Sequence, residues 1–270
     1  MADERTYSKR SLYGQIAHEI GLEIVTGVIP AGTALPKEEV ACAKMRVSRT
    51  AYREALKVLS AKNLVYSRPK TGTVVKARAS WNMLDPDILA WQFETGPSYQ
   101  FARSLYELRI MVEPESAALA AERATEPQKL AIKNAFADMM RAAPGSAAHV
   151  AADVAFHQAI LFASRNELLP TLGSLIETGL AKGFQLTNFD PEYKSIALGQ
   201  HGNVAQAIAE GDATAARREM REIIVAAWEE MKHTIETSGD SEDANVKFDD
   251  KYLLAPKEEA HRSSEKPGGR

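Results

Sequence analysis

Asp153 and His157 stand four residues apart in the apolar run from Ala151 to Leu161, and His201 follows on a later segment with helical period. Residues four apart share one face of a helix. One carboxylate and two imidazoles form a donor set for a divalent transition metal with coordination positions left open. The same pair at the same spacing also occurs as a surface ion pair, or as a core histidine satisfied by its neighbours. Arg109 is the second chemical feature. It lies in ELRIMVEPE with Leu105, Leu108, Met111 and Val112 around it. A guanidinium buried on an apolar helix needs an anion. Glu113 or Glu115 can supply it from within the chain. The carboxylate of a bound small molecule is the other source, since guanidinium grips carboxylate through two parallel hydrogen bonds.

A different chemistry is written in Val47–Leu59. Read as a helix, this stretch puts Ala51, Ala55, Val58 and Leu59 on a buried stripe and Arg49, Thr50, Arg53 and Lys57 on the other side. Ser48 is a good N-cap, so the two arginines and Thr50 fall in the first turns. A short helix with a basic, donor-rich start suits the DNA major groove, where arginine reads guanine and hydroxyls serve bases or phosphates. Charge supports this. Residues 1–76 carry 13 Lys/Arg against 7 Asp/Glu, a net +6, whereas residues 77–270 carry 20 against 29, a net −9. A basic head on an acidic body fits a polyanionic partner for the head alone.

The elements that must position these residues follow from period and punctuation. Leu12, Ile16, Ile20 and Ile24 mark a first helix over Ser11–Thr26, ended by Gly27. Pro36 opens a second short helix through Lys44, Arg46-Val47 is a tight turn, and the helix from Ser48 completes a helix-turn-helix. Leu64–Arg68 and Thr73–Lys76 are strand-like runs joined by Pro69–Gly72, which makes a wing with Lys70 and Gly72 at its tip. Glycine there lets backbone approach a groove closely. Residues 77–98 form a link with a short helix capped by Asp85, in which Trp81 and Trp91 are packing anchors between head and body. From Tyr99 on, six helical segments follow, at about 99–124, 126–142, 147–164, 167–187, 192–210 and 212–236, with no strand pattern. The expected fold is therefore mainly α: a winged helix-turn-helix over 1–76, the link, and an all-helical bundle over 99–237. Residues 238–270, rich in Ser, Asp, Glu, Lys, Gly and Pro, are expected to be a disordered tail, with Tyr252-Leu253-Leu254 its one patch able to dock. Cys42 is the sole cysteine, no apolar run reaches the roughly 18 residues that span a bilayer, and Met1–Arg10 is polar, so a cytoplasmic protein away from membranes is expected.

The run LPKEEVACAKMRVSRTAYREALKVLSAKNLVYSRPKTGTVV resembles the winged-helix head of the GntR family of bacterial transcription regulators, with Leu35, Pro36, Glu38, Val47, Ser48, Arg49, Arg53, Leu64, Arg68 and Gly72 among the matching positions. The resemblance implies that Arg49, Thr50 and Arg53 contact DNA and that Gly72 sits in a minor-groove wing. Where many members carry a further DNA-reading arginine, this chain has Glu39, so operator sequence or affinity is expected to differ there. The runs ELRIMVEP, ADVAFHQAIL and QHGNVAQAIAEGDATAARREM resemble the FCD effector domain of the FadR subfamily, over residues 100–236. That resemblance implies a metal held by an Asp, a His four residues on and two later His. Asp153, His157 and His201 match three of these, and Ile223 falls at the fourth. It also implies an effector pocket with an arginine at the place of Arg109, with Lys182 a candidate for the same cavity. WNMLDPDILAWQFE is similar to sugar-acid operon repressors of the galactonate type, which points to a hydroxy-carboxylate effector.

The expectation is a dimeric, ligand-responsive DNA-binding regulator that represses a catabolic operon, reads two half-sites of double-stranded operator DNA, and is released by a small carboxylate. Its metal is Zn²⁺ or Ni²⁺, held by three protein ligands. The alternatives are a metal-dependent hydrolase-like enzyme and a DNA-binding protein without an effector. No nucleophile motif, glycine-rich phosphate loop or paired carboxylate lies near the three candidate ligands, which argues against an enzyme.

Overall fold

The computed structural model describes residues 11–173, 176–177 and 191–237. The tail at 238–270, most of the second half of the segment at 167–187, and Lys182 lie outside the described residues.

Helix α1 (Leu12–Val25) starts at Ser11, whose hydroxyl accepts from Gly14 N, and buries Ile16, Ala17, Ile20 and Ile24. Helix α2 (Glu38–Met45) begins two residues after Pro36, with Lys37 at its N-cap. Arg46 stops it in the left-handed region at φ 55°, and this is the tight turn that aims α3 (Arg49–Ala61). The buried stripe of α3 is Tyr52, Ala55 and Leu59, whereas Ala51 and Val58 are only partly covered. A count of aliphatic residues passed over Tyr52, whose ring lies 2% exposed in the head core. Strands β1 (Val65–Arg68) and β2 (Gly72–Val75) form the wing, paired antiparallel with Val65 opposite Val75 and Arg68 opposite Gly72. Lys70 (φ 67°) and Gly72 (φ 94°) take the left-handed conformations that its tip requires. The connector before α2 adds an isolated bridge, Ala34 to Val74, on the free side of β2.

The link is a packed element. After a 3₁₀ turn (Arg78–Ser80), Asp85 caps α4 (Pro86–Glu94), its carboxylate accepting from Asp87 N and Ile88 N, with Pro86 in the first turn. Trp81 and Trp91 both join the head core rather than bridging head and body. Trp91 fits a notch in α1 that only glycine leaves open: a Cβ on Gly21 would stand 2.4 Å from the indole. Leu89 and Phe93 of the same helix join the body core instead.

Among the described residues the body consists of α5 (Tyr99–Arg123), α6 (Glu126–Arg141), α7 (Ala147–Ala163), a 3₁₀ turn (Leu169–Leu172), α8 (Pro191–Glu210) and α9 (Ala213–Thr237). Helix α5 packs along α9 and against α7 and α8, α6 lies against α7 and α8, and α8 lies against α9. Alanines 117, 118, 120 and 121 on α5 are buried, and such small side chains let neighbouring helices approach closely. No helix among the described residues is long and apolar enough to cross a membrane.

Candidate functional site

Two helices of the body bring the candidate ligands together, and a third backs them. Ser146 caps α7 by accepting from His149 N, and α7 then carries Asp153 and His157 inward one turn apart. His201 comes from α8, and Arg109 and Glu113 from α5. One donor atom from each of Asp153, His157 and His201 lies within 4.8 Å of the other two. Asp153 Oδ1 stands 3.0 Å from His201 Nε2 and 3.6 Å from His157 Nε2. All three residues are buried, as are Arg109 and Glu113.

The outer partners fix which ring nitrogens face the centre. His201 Nδ1 lies 2.6 Å from the Ala197 carbonyl, which can only accept, so Nδ1 carries the proton and Nε2 the lone pair. His157 Nδ1 meets Glu113 Oε2 in a short contact. Burial alone would raise the pKa of Glu113, but Arg109 and His157 overcome it and lower it to about 2. Glu113 is therefore ionised and accepts, which leaves His157 Nε2 with its lone pair too. Two lone pairs and a carboxylate oxygen then converge, and Asp153 Oδ1, His157 Nε2 and His201 Nε2 have no well-aligned hydrogen bond between them. Three acceptors facing one another repel unless a cation sits among them. In the bare protein a proton serves. Against a burial effect that opposes it, Asp153 raises the pKa of His201, and His201 in turn, with His157 and Arg109, lowers that of Asp153 against the same burial effect. A divalent metal satisfies the same three atoms, so the donor set fits one.

Arg109 Nε donates to Glu113 Oε1 at 2.6 Å, so Glu113 is its in-chain anion; Glu115 pairs with Arg217 at 2.7 Å instead. Arg109 Nη2 is buried without an acceptor. The guanidinium carbon lies 5.2 Å from the Tyr106 ring centre, and Tyr106 in turn lies 5.5 Å from the Trp228 ring. Ile223, on α9, is buried in the body core. The sequence offers Glu113 or Glu115 as the partner of Arg109, and the structure selects Glu113. Sequence reasoning missed that Glu113 also orients His157, a contact across 44 residues that no local spacing reveals.

In the head, Arg49, Thr50 and Arg53 are exposed on the first turns of α3, and Ser48 Oγ accepts from Ala51 N as the cap. Arg49 Nη2 bonds Glu39 Oε1 at 2.9 Å and Arg53 Nε bonds Glu38 Oε2 at 2.8 Å. Lys70 and Gly72 are exposed at the wing tip. The two acids of α2 as partners of these arginines were not foreseen.

A winged helix-turn-helix joined to a helical body with a buried polar centre defines a DNA-binding regulator class. Residues 12–75 match the bacterial regulatory proteins of the gntR family, and residues 104–226 match the FCD domain. The Escherichia coli galactonate operon transcriptional repressor is 30% identical over 219 residues, covering 81% of this chain and 96% of that protein. The Escherichia coli Glc operon transcriptional activator is 31% identical over 251 residues, covering 88% of this chain and 94% of its own. A solved structure described as "Lar controls the expression of the Listeria monocytogenes agr system and mediates virulence" superposes with a TM-score of 0.55 at 15% identity, over 84% of this chain and 99% of that one, which shows a shared fold. The chain belongs to the GntR family, with an FCD domain as its body. It is a transcription regulator and not an enzyme.

Proposed function

We propose that this regulator is a cytoplasmic homodimeric repressor of a catabolic operon, released from its operator by a carboxylate effector of the sugar-acid class. The observation that carries the effector reading is the buried convergence of Asp153, His157 and His201 beside the unpaired Nη2 of Arg109. Arg109 and Glu113 cancel, and with both imidazoles neutral, as metal ligation requires, Asp153 gives the donor set one negative charge. A divalent ion held by these three residues turns that into one positive charge, which suits a single carboxylate. When bound, the metal supplies a Lewis-acid anchor for effector oxygens. Zn²⁺ or Ni²⁺ fits a set of two imidazoles and a carboxylate. Ile223, at the place of a fourth ligand, offers no donor, which leaves coordination open for the effector. Arg109 gives the carboxylate a second, directional contact.

In the head, Arg49, Thr50 and Arg53 read the major groove from α3, Ser48 starts that helix, and Lys70 with Gly72 lets the wing reach the backbone or minor groove. Repression is favoured by the similarity to the galactonate operon repressor, whereas similarity to the Glc operon activator supports the opposite sign. Footprinting on the chain's own upstream region tests the scheme, with sugar acids added in the presence of Zn²⁺ or a chelator. Protection of a near-palindrome, lost on adding a sugar acid, is expected. A footprint indifferent to every sugar acid, or a response that survives Asp153→Ala with His157→Ala, overturns the effector reading. A reporter that falls on deletion of the gene decides for activation.

A further inference from the structure

A cleft of about 890 Å³ opens at the seam between head and body, walled by Val25 and Thr26 at the end of α1, Leu89 and Gln92 of α4, and Phe101 and Leu105 of α5. This is well within the size range of small-molecule sites. It is separate from the histidine–aspartate cluster, none of whose residues line it. Its walls are more apolar than polar, and among the described residues no carboxylate lines it and Arg78 is its one charged residue. Arg78 makes a single hydrogen bond, Nη2 to Gln92 Oε1 at 3.3 Å, and its guanidinium carbon lies 5.3 Å from the Trp81 ring centre. No acidic residue among the described ones pairs with it. Arg78 is itself exposed, and partial desolvation of its guanidinium lowers its pKa with no carboxylate opposing. Gln92 is 7% exposed, and its Nε2 has no acceptor. Gly96, Pro97 and Ser98 bring the start of the 25-residue α5 to the same wall, where the positive end of the helix dipole adds to the field. Cation, amide donor and helix start all ask for an anion, and the remaining surface asks for hydrocarbon.

We propose that this cleft binds a small organic monoanion, a carboxylate on an apolar body, as a second ligand independent of the buried cluster. One cation without an acid matches one negative charge. Leu89, Phe101 and Leu105 match an alkyl or aryl tail. Because α1 and part of α4 belong to the head while α5 belongs to the body, an occupant touches both and biases how they meet, through its differential affinity for the two arrangements.

Calorimetry on the full-length protein tests this with octanoate and, as an uncharged control, octanol. Octanoate is expected to bind about tenfold or more tightly than octanol, the difference a charge-assisted contact supplies. Arg78→Gln is expected to lose that advantage and Arg78→Lys to keep part of it. Ser104→Trp, which fills the cleft from an exposed lining position, is expected to abolish binding with the charge intact. Asp153→Ala with His157→Ala is expected to leave octanoate binding unchanged, which separates this site from the body centre. No heat with wild type, equal binding by octanol, or octanoate binding that survives Arg78→Gln and Ser104→Trp overturns the proposal. Loss of binding in the double variant at the cluster does so as well.

Discussion

At the scale of single residues, the head and the body use the same device, a carboxylate that holds a cationic or basic side chain in place. In the body, Glu113 takes Arg109 on one oxygen and His157 on the other. Its lowered pKa makes it a source of pH-dependent stability. A group whose folded pKa lies below its unfolded value contributes fully above the unfolded value, near 4.5, and loses that contribution as pH falls toward about 2. The span corresponds to on the order of 3 kcal/mol. Urea unfolding of the metal-free protein between pH 5 and about 2 is therefore expected to lose stability steeply, with a shallower slope in Glu113→Gln. The same variant is expected to weaken Zn²⁺ binding by about 10- to 100-fold, since an outer carboxylate orients the ligand imidazole. Unchanged Zn²⁺ affinity by competition with a chromophoric chelator would show that His157 needs no such support. In the head, Arg49 and Arg53 are exposed and bonded to Glu39 and Glu38. Exposed pairs are worth little by themselves. Near phosphates, however, an extra carboxylate repels. Glu39→Gln is expected to tighten binding to any duplex by roughly three- to tenfold at low salt, and the gain should fade as salt screens it. Anisotropy titrations at two salt concentrations measure this, and equal affinity of variant and wild type at both would remove Glu39 from the interface.

Among the elements, α4 was the least legible. Its cap and its first turn were readable from Asp85-Pro86, but the side of the molecule that Trp91, and Trp81 before it, serve was not, because both faces of the helix are apolar. Structure puts Trp81 and Trp91 in the head core and Leu89 and Phe93 in the body core. The wing, the turn at Arg46 and five body helices were readable because glycine, proline and helical period mark them locally. Contacts such as Glu113 to His157 or Lys62 to Asp87 were not, since they depend on how distant helices settle. Lys62, at the C-cap of α3, is 2% exposed and bonds Asp85 at 2.8 Å and Asp87 at 2.6 Å. Helix α3 thus ends on the cap of α4. Removing the ammonium in Lys62→Met leaves a buried carboxylate uncompensated, at a cost of about 3–5 kcal/mol. Chemical denaturation measures the loss, and Lys62→Met with Asp87→Leu is expected to recover much of it, because an apolar pair replaces the ionic one. A double variant no more stable than the single would show that the pair is not the cause.

For the whole molecule, the charge split along the sequence gives the salt dependence of function. The net +6 of residues 1–76 favours a polyanion, whereas the net −9 of residues 77–270 does not. Operator binding is expected to weaken linearly in the logarithm of salt concentration, with a slope that reports the number of phosphates neutralised. Arg53→Ala should lower that slope by about one, and Arg217→Ala, on the body, should leave it unchanged. Metal is expected to raise the melting temperature in proportion to the logarithm of its concentration above saturation, and a chelator to reverse the gain. Scanning calorimetry at several Zn²⁺ concentrations checks this, with Asp153→Ala plus His157→Ala as the variant that should not respond.

The glycine notch at Gly21 has a practical corollary for anyone cutting the chain into parts. Trp91 is wholly buried in that notch, and Trp81 covers the same core. A fragment ending at residue 76 would therefore carry an open socket on α1. One ending after Glu94 would carry its own plug and expose Leu89 and Phe93, which otherwise join the body core. The autonomous DNA-binding unit is expected to be the longer fragment, with the nine-residue helix retained as its lid.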